Sequence, residues 1–213
     1  MQVTSHSLLE MTPVMPVVQI TDAEQAVPIA HALRKGGIAM LEIVIRTPVS
    51  LEAIRRIRAE VPDVIVGAGT VTDVAKLEAA VDAGCEFVIT PGLTRTMAAA
   101  SQGLSMPMVP GVSCASDIML GLEYGFIAFK FFPAEASGGI SALKALAAPF
   151  SQATFCPTGG IGPHNLVDYL SLECVSCVGG SWLTPVALQR RNAWSEITEL
   201  TQQAVNTVNS LAL

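Results

Sequence analysis

The chain has 213 residues, half of them hydrophobic (51%) and only 14% charged, which is material for one sizeable core rather than for a disordered or fibrous chain. A net charge of -6 with no basic cluster argues against a nucleic-acid partner, and Arg55, Arg56 and Arg58 read as the solvated face of a helix. No apolar run approaches bilayer length, and the N-terminus lacks the basic start and apolar core of a signal peptide, so a cytoplasmic protein with no membrane partner is expected. The five cysteines are an odd number in a chain that needs no staples, which favours reduced thiols.

After a short helix at Ser7–Met11, strand-like apolar runs recur at Val14–Ile20, Ala39–Ile45, Val64–Gly67, Glu86–Thr90, Met106–Val109, Phe126–Phe132, Ala153–Pro157 and Cys174–Val178. Helical segments fall between them. Asp22–Lys35 stops at Gly36-Gly37, Val49–Glu60 near Pro62, Thr72–Ala83 at Gly84, and Thr94–Gln102 at Gly103. Ser116–Glu123, Gly139–Ala147 and Pro163–Leu170 follow, and Gln189–Leu211 reads as one long C-terminal helix. Alternation of this kind argues for a parallel sheet. Eight strand-helix units without a linker argue for a single-domain α/β fold, a (β/α)8 TIM barrel with an N-terminal helix spanning 1–213. Cys174 and Cys177 lie in an apolar run whose period-two geometry sends them to opposite faces, so core packing is expected there rather than a metal or redox pair.

In such barrels the active site lies at the C-terminal strand ends. Phe126–Phe132 is an apolar and aromatic run broken only by Lys130. Either that ammonium snorkels to water, or burial makes a neutral amine that attacks carbonyl carbon. Glu42 and Arg46 share one face of the second strand, where they either pair with each other or divide the work. In the second case Glu42 transfers protons and Arg46 holds a substrate carboxylate. Thr70 offers a hydroxyl at the end of the third strand, Pro91 belongs to the tight rim of the fourth, and Phe132 shares the face of Lys130. The glycine pairs Gly159-Gly160 and Gly179-Gly180, with Ser181, follow strands seven and eight, where a barrel phosphate site requires exposed amides. His6, His31 and His164 fall away from the strand ends and read as surface or packing residues; neither a metal nor a cofactor is expected.

With these residues assembled, the chain resembles the 2-keto-3-deoxy-6-phosphogluconate (KDPG) aldolase family, whose members also act as 4-hydroxy-2-oxoglutarate (KHG) aldolases. The resemblance runs through Leu41-Glu-Ile-Val-Ile-Arg-Thr47, Val66-Gly-Ala-Gly-Thr70, Ile89-Thr-Pro-Gly92, Phe129-Lys-Phe-Phe-Pro-Ala-Glu135, Phe155-Cys-Pro-Thr-Gly-Gly160 and Gly179-Gly-Ser-Trp182. Thr90 and Ser137 depart from the usual serine and asparagine. It implies a homotrimeric class I aldolase of the Entner–Doudoroff pathway, acting on a phosphorylated 2-keto acid. Lys130 would form the Schiff base and Glu42 move protons. Arg46 and Thr70 would hold the carboxylate, and Thr158 influence stereochemistry. An aldolase for the galactonate epimer and a non-catalytic sugar-phosphate-binding barrel are the competing readings.

Overall fold

The computed structural model describes residues 4–211. Helix α1 (Ser5–Glu10) is capped by Thr4 and followed by β1 (Val14–Val18), a 3₁₀ turn at Ala23–Gln25 that Asp22 caps, and α2 (Ala26–Lys35). The alternation continues through β2 (Met40–Val44), α3 (Ser50–Glu60), β3 (Ile65–Gly69), α4 (Val74–Asp82), β4 (Val88–Ile89) and α5 (Arg95–Ser101). Two short strands, β5 (Met108–Val109) and β6 (Gly111–Val112), come next, separated only by Pro110, which has no amide to donate. The chain then runs through α6 (Ala115–Glu123), β7 (Ala128–Phe131), α7 (Gly139–Ala147), β8 (Thr154–Pro157), α8 (Leu166–Leu170), β9 (Val178–Gly180), α9 (Val186–Arg190) and α10 (Trp194–Asn209).

All the paired strands are parallel, in a six-stranded sheet ordered β5-β4-β3-β2-β1-β9 and a three-stranded one ordered β6-β7-β8. Isolated parallel bridges link the second sheet and the residue after it to the last strand, Phe155 to Val175 in the segment that enters β9 and Thr158 to Gly179 in β9 itself. The fold is therefore α/β, as expected.

Two apolar clusters divide the buried side chains. The larger lies where helices cover the sheets, for example Leu33, Ile54, Phe129 and Phe155. The smaller holds inward residues of several strands, among them Met15, Met40, Ile89, Val109, Ala128 and Cys156, together with Leu8 and Leu9 from α1. Because strand side chains alternate, Glu42 follows Met40 and Lys130 follows Ala128 on the same inward faces. The apolar layer thus forms the floor on which polar residues near the strand ends rest.

Several expected boundaries shift. The strand expected at Cys174–Val178 appears four residues later, at Val178–Gly180, because Cys174 and Ser176 bond laterally to Phe155 and only Val175 bridges there. Cys177 is fully buried, as expected, whereas Cys174 is only half-buried. All five cysteines are free, and a contact with Cys156 together with burial pushes the Cys177 thiol well up. The helix expected at Pro163–Leu170 begins at Leu166, after a turn closed by Asn165 and Leu166 amides on the Gly162 carbonyl. The long helix expected at Gln189–Leu211 is two helices. Asn192 adopts φ 54, and the Ala193 and Asn192 amides bond back to Leu188 and Gln189 at 3.0 Å, the paired bonds of a Schellman stop. Gly37, at φ 102, ends α2 by the same bonding; asparagine is the residue that does this least conspicuously in a sequence.

Of the Arg55–Arg58 group, Arg55 is exposed, as read, while Arg56 and Arg58 are half-buried, and all three are paired: Arg56 with Glu24 and Glu60, Arg58 with Glu86, and Arg55 with Glu52. Such surface pairs add little stability. The core decides it. The Phe129 ring sits against Gly121, where an added Cβ would lie 2.3 Å from it, and its centroid is 6.0 Å from that of Phe155. Phe129→Ala should cost about 3–5 kcal/mol, read as a lower denaturant midpoint with an unchanged slope.

Candidate active site

Strands β2 and β7 are not neighbours in either sheet, so side chains from both meet only across the interior. Lys130 and Glu42 do so. Lys130 Nζ donates to Glu42 Oε1 at 3.2 Å and to Oε2 at 3.4 Å. The residues are 6% and 1% exposed. Sequence reasoning left Glu42 either to pair with Arg46 or to serve the chemistry; its partner is Lys130. Two charges removed from water are unfavourable singly and tolerable together. Room for the carboxylate comes from β3, because a Cβ on Gly69 would lie 1.8 Å from Glu42 Oε1. Half-buried Phe132 places its ring 5.5 Å from Lys130 Nζ, within cation–π range.

Arg46 leaves the end of β2 and donates from Nε to Thr70 Oγ1 at 3.2 Å. Thr70 has φ 57, an uncommon conformation for a β-branched residue. Strain of that kind, on the order of 1–3 kcal/mol, collects at functional sites. Arg46 also lines a cavity of about 320 Å³ with Gln19, Ser181, Thr184, Val17 and Val44. The residue expected to hold a carboxylate and one expected to hold phosphate thus share one cavity. Val44 lies two residues beyond Glu42 on β2, and Val17, on β1, is the register partner of Glu42, so the cavity adjoins the strand that carries the carboxylate of the buried pair.

Sequence reasoning missed Gln19 and Thr184. Gln19 had a signal, since it follows Met15 and Val17 at period two and is polar at the end of an apolar strand. Thr184 had none, because it lies in a turn.

The loop after β8 is held from several sides. The Ala134 and Glu135 amides donate to Thr158 and Gly159 carbonyls at 2.8 and 3.1 Å. Asn165 Nδ2 donates to the Gly160 carbonyl at 3.1 Å, and its Oδ1 accepts from the Gly162 amide at 2.9 Å. Tyr169 donates its hydroxyl proton to Glu135, and burial with that carboxylate raises the phenol well above its ordinary range. Gly160, at φ 81, also faces Glu135, which would stand 2.5 Å from an added Cβ. Thr158 is buried and donates to the Cys156 carbonyl at 3.3 Å.

The second glycine pair differs from expectation. Gly179 and Gly180 are buried residues of β9 rather than an open loop, and packing explains both: an added Cβ would meet Thr158 Oγ1 at 2.1 Å and the Trp182 ring at 1.9 Å. Exposed Ser181 opens a turn, its carbonyl accepting from the Thr184 amide at 3.3 Å, and Pro185 occupies the N-cap position of α9. Pro91 sits at the end of β4 with its carbonyl carbon against Gly111, and neither it nor Phe132 forms the wall of the Arg46 cavity. His31 and His164 are exposed and His6 pairs with Glu10; among the described residues no cluster of His, Cys, Asp or Glu is gathered for a metal ion.

A buried amine beside a carboxylate, with a guanidinium and hydroxyls at an adjoining cavity, is equipped to bond a carbonyl carbon and shuttle protons next to an anion. The family model described as "Aldolase: KDPG and KHG aldolase" matches residues 6–200. The KHG/KDPG aldolase of Escherichia coli (strain K12) is 48% identical over 202 residues, covering 95% of each chain. A KDPG aldolase from Legionella pneumophila, solved with pyruvate captured at low pH as a covalent carbinolamine intermediate, superposes with a TM-score of 0.94 at 43% identity, over 96% of this chain and 99% of that one. The Zymomonas mobilis ZM4 aldolase solved with 3-phosphoglycerate gives 0.87 at 46%, over 94% of each.

Crowding at Gly69 yields a direct test of the pair. In Gly69→Ala the methyl must displace the end of the Glu42 side chain, at about 1–3 kcal/mol of stability. A structure of this variant should show Lys130 Nζ and Glu42 moved out of salt-bridge range, beyond about 4 Å. Retention of the 3.2 Å contact would refute the crowding argument.

Proposed function

The chain belongs to the KDPG and KHG aldolase family, and we propose from that premise that it is a class I lyase cleaving 2-dehydro-3-deoxy-6-phosphogluconate to pyruvate and D-glyceraldehyde 3-phosphate. It also cleaves 4-hydroxy-2-oxoglutarate to pyruvate and glyoxylate, a reading supported by relatives named for both substrates. The observation that carries the proposal is the buried contact between Lys130 and Glu42.

In this mechanism Glu42 takes the Lys130 ammonium proton, which removes two opposite charges from a dry site at once. The amine attacks the C2 ketone, Glu42 returns its proton to the carbinolamine oxygen, which leaves as water, and the iminium becomes the electron sink while Glu42 is a carboxylate again. Glu42 accepts the C4 hydroxyl proton, the C3–C4 bond breaks, and the electron pair moves into an enamine. Protonation at C3 and hydrolysis release pyruvate and restore the lysine. Arg46 and Thr70 hold the C1 carboxylate, with Pro91, Phe132 and Thr158 against the bound substrate. Gly159, Gly160, Gly179, Gly180 and Ser181 serve the phosphate end, Gly179 and Gly180 by letting Thr158 and Trp182 close in. The position of Ser181 on the Arg46 cavity supports that division.

The fold completed by this reading is a single (β/α)8 barrel over 1–213. The Pro110 carbonyl, accepting from the Lys130 amide at 2.9 Å, and the bridge from Thr158 to Gly179 support closure, with β5 and β6 acting as one staggered strand. We infer a homotrimer working in the cytoplasm in the Entner–Doudoroff pathway; exposed Met119 and Ile127 are apolar surface that assembly would cover. No described helix is long and apolar enough to cross a membrane.

Borohydride added with pyruvate should leave one reduced adduct, mapped to Lys130, and EDTA should leave turnover intact. An adduct at Lys76 or Lys144 would sink the assignment. Glu42→Gln should lower turnover by on the order of 10²–10⁴, the usual weight of acid–base catalysis. Near-normal turnover in that variant would remove Glu42 from the mechanism.

A further inference from the structure

Four buried side-chain atoms among the described residues have no hydrogen-bond partner: His6 Nδ1, Gln25 Oε1, Thr184 Oγ1 and Gln189 Oε1. Three of them belong to one connected chain. Gln25 Nε2 donates to the Gln189 carbonyl at 3.1 Å, and Gln189 Nε2 donates to the Thr184 carbonyl at 2.8 Å. The chain ends at Thr184, on the wall of the cavity that holds Arg46 and Ser181. Its backbone is pinned, by Gln189 at the carbonyl and by Ser181 at the amide. Its hydroxyl, on a residue 3% exposed, bonds nothing in the protein. A buried hydroxyl without a partner is unfavourable, and valine would fill the same volume without that penalty.

We propose that Thr184 is a specificity-determining residue for the distal end of the substrate, its hydroxyl donating to a phosphate-ester oxygen in the cavity shared with Ser181 and Arg46. The proposal rests on the aldolase reading and extends it to a residue that the sequence did not single out. A turn about χ1 to another staggered rotamer would bring the hydroxyl to a ligand and leave in place the backbone that Gln189 holds. A phosphate ester presents three acceptor oxygens and about two negative charges. An extra hydroxyl donor therefore favours it over an uncharged distal alcohol.

The test compares Thr184→Val with Thr184→Ser on 2-dehydro-3-deoxy-6-phosphogluconate and on its unphosphorylated analogue. Rates are normalised to Lys130 trapped by pyruvate and borohydride, so that only folded sites count. Thr184→Val should raise KM for the phosphorylated substrate by roughly tenfold, the scale of one hydrogen bond to a charged group. The analogue should change by no more than about twofold, and Thr184→Ser should stay near the parent on both, since the donor is kept. The melting temperature of Thr184→Val should hold or rise, because no internal bond is lost. Equal losses on both substrates, no loss on either, a serine variant no better than the valine one, or a marked fall in melting temperature would each overturn the proposal. A parent protein that traps no pyruvate would instead overturn the aldolase reading itself, before any variant is compared.

Discussion

The rest of the site is arranged around a lysine and a glutamate held 3.2 Å apart with almost no access to water. Neither residue is tolerable there alone. Removing one partner of a buried ion pair costs about 3–5 kcal/mol, because the other charge is stranded. The pair therefore demands a scaffold that brings two distant strands into fixed opposition. It also demands an apolar floor that keeps solvent out and a gap in the neighbouring strand for the carboxylate. Parallel strands in register meet the first demand, and the Met40, Ala128 and Cys156 layer with Leu8 and Leu9 meets the second. Gly69 meets the third.

Around the pair, order at the strand ends comes from interlocking small parts. Thr70 holds a strained backbone while its hydroxyl takes the Arg46 hydrogen bond. The loop after β8 is tied to the one after β7 through Ala134 and Glu135, and Glu135 is braced by Tyr169. The turn after β9 is tied through Gln189 and Gln25 to the entry of α2. These ties join segments far apart in sequence. They allow loops to carry a site whose geometry would otherwise drift on the scale of ordinary loop motion.

Much of this was legible in the residues, and the misses have identifiable causes. Apolar period and glycine stops revealed the strand-helix alternation, because both follow from local backbone physics. Boundaries moved where lateral bonding intervened, as at Cys174 to Ser176, or where asparagine did a glycine's work, as at Asn192. Lys130 and Glu42 could be singled out because a charge in an apolar strand is conspicuous. Gly179 and Gly180 looked like an anion cradle because a glycine pair has the same appearance whether it exposes amides or admits a neighbouring Thr158 and Trp182.

The amino-acid sequence by itself therefore determined the α/β alternation, the inward parity of Glu42 and Lys130, and, through its motifs, the family. These are properties of a residue and its near neighbours along the chain. Only the tertiary structure decided that Glu42 pairs with Lys130 across the interior, that Arg46 and Ser181 face one cavity, and that Thr184 stands on its wall with a buried hydroxyl unused by the protein. The physical reason is separation: Glu42 and Lys130 stand 88 residues apart, and Gln25 and Gln189 164. Hydrogen bonding and desolvation act over a few ångströms of space, whatever the distance along the chain.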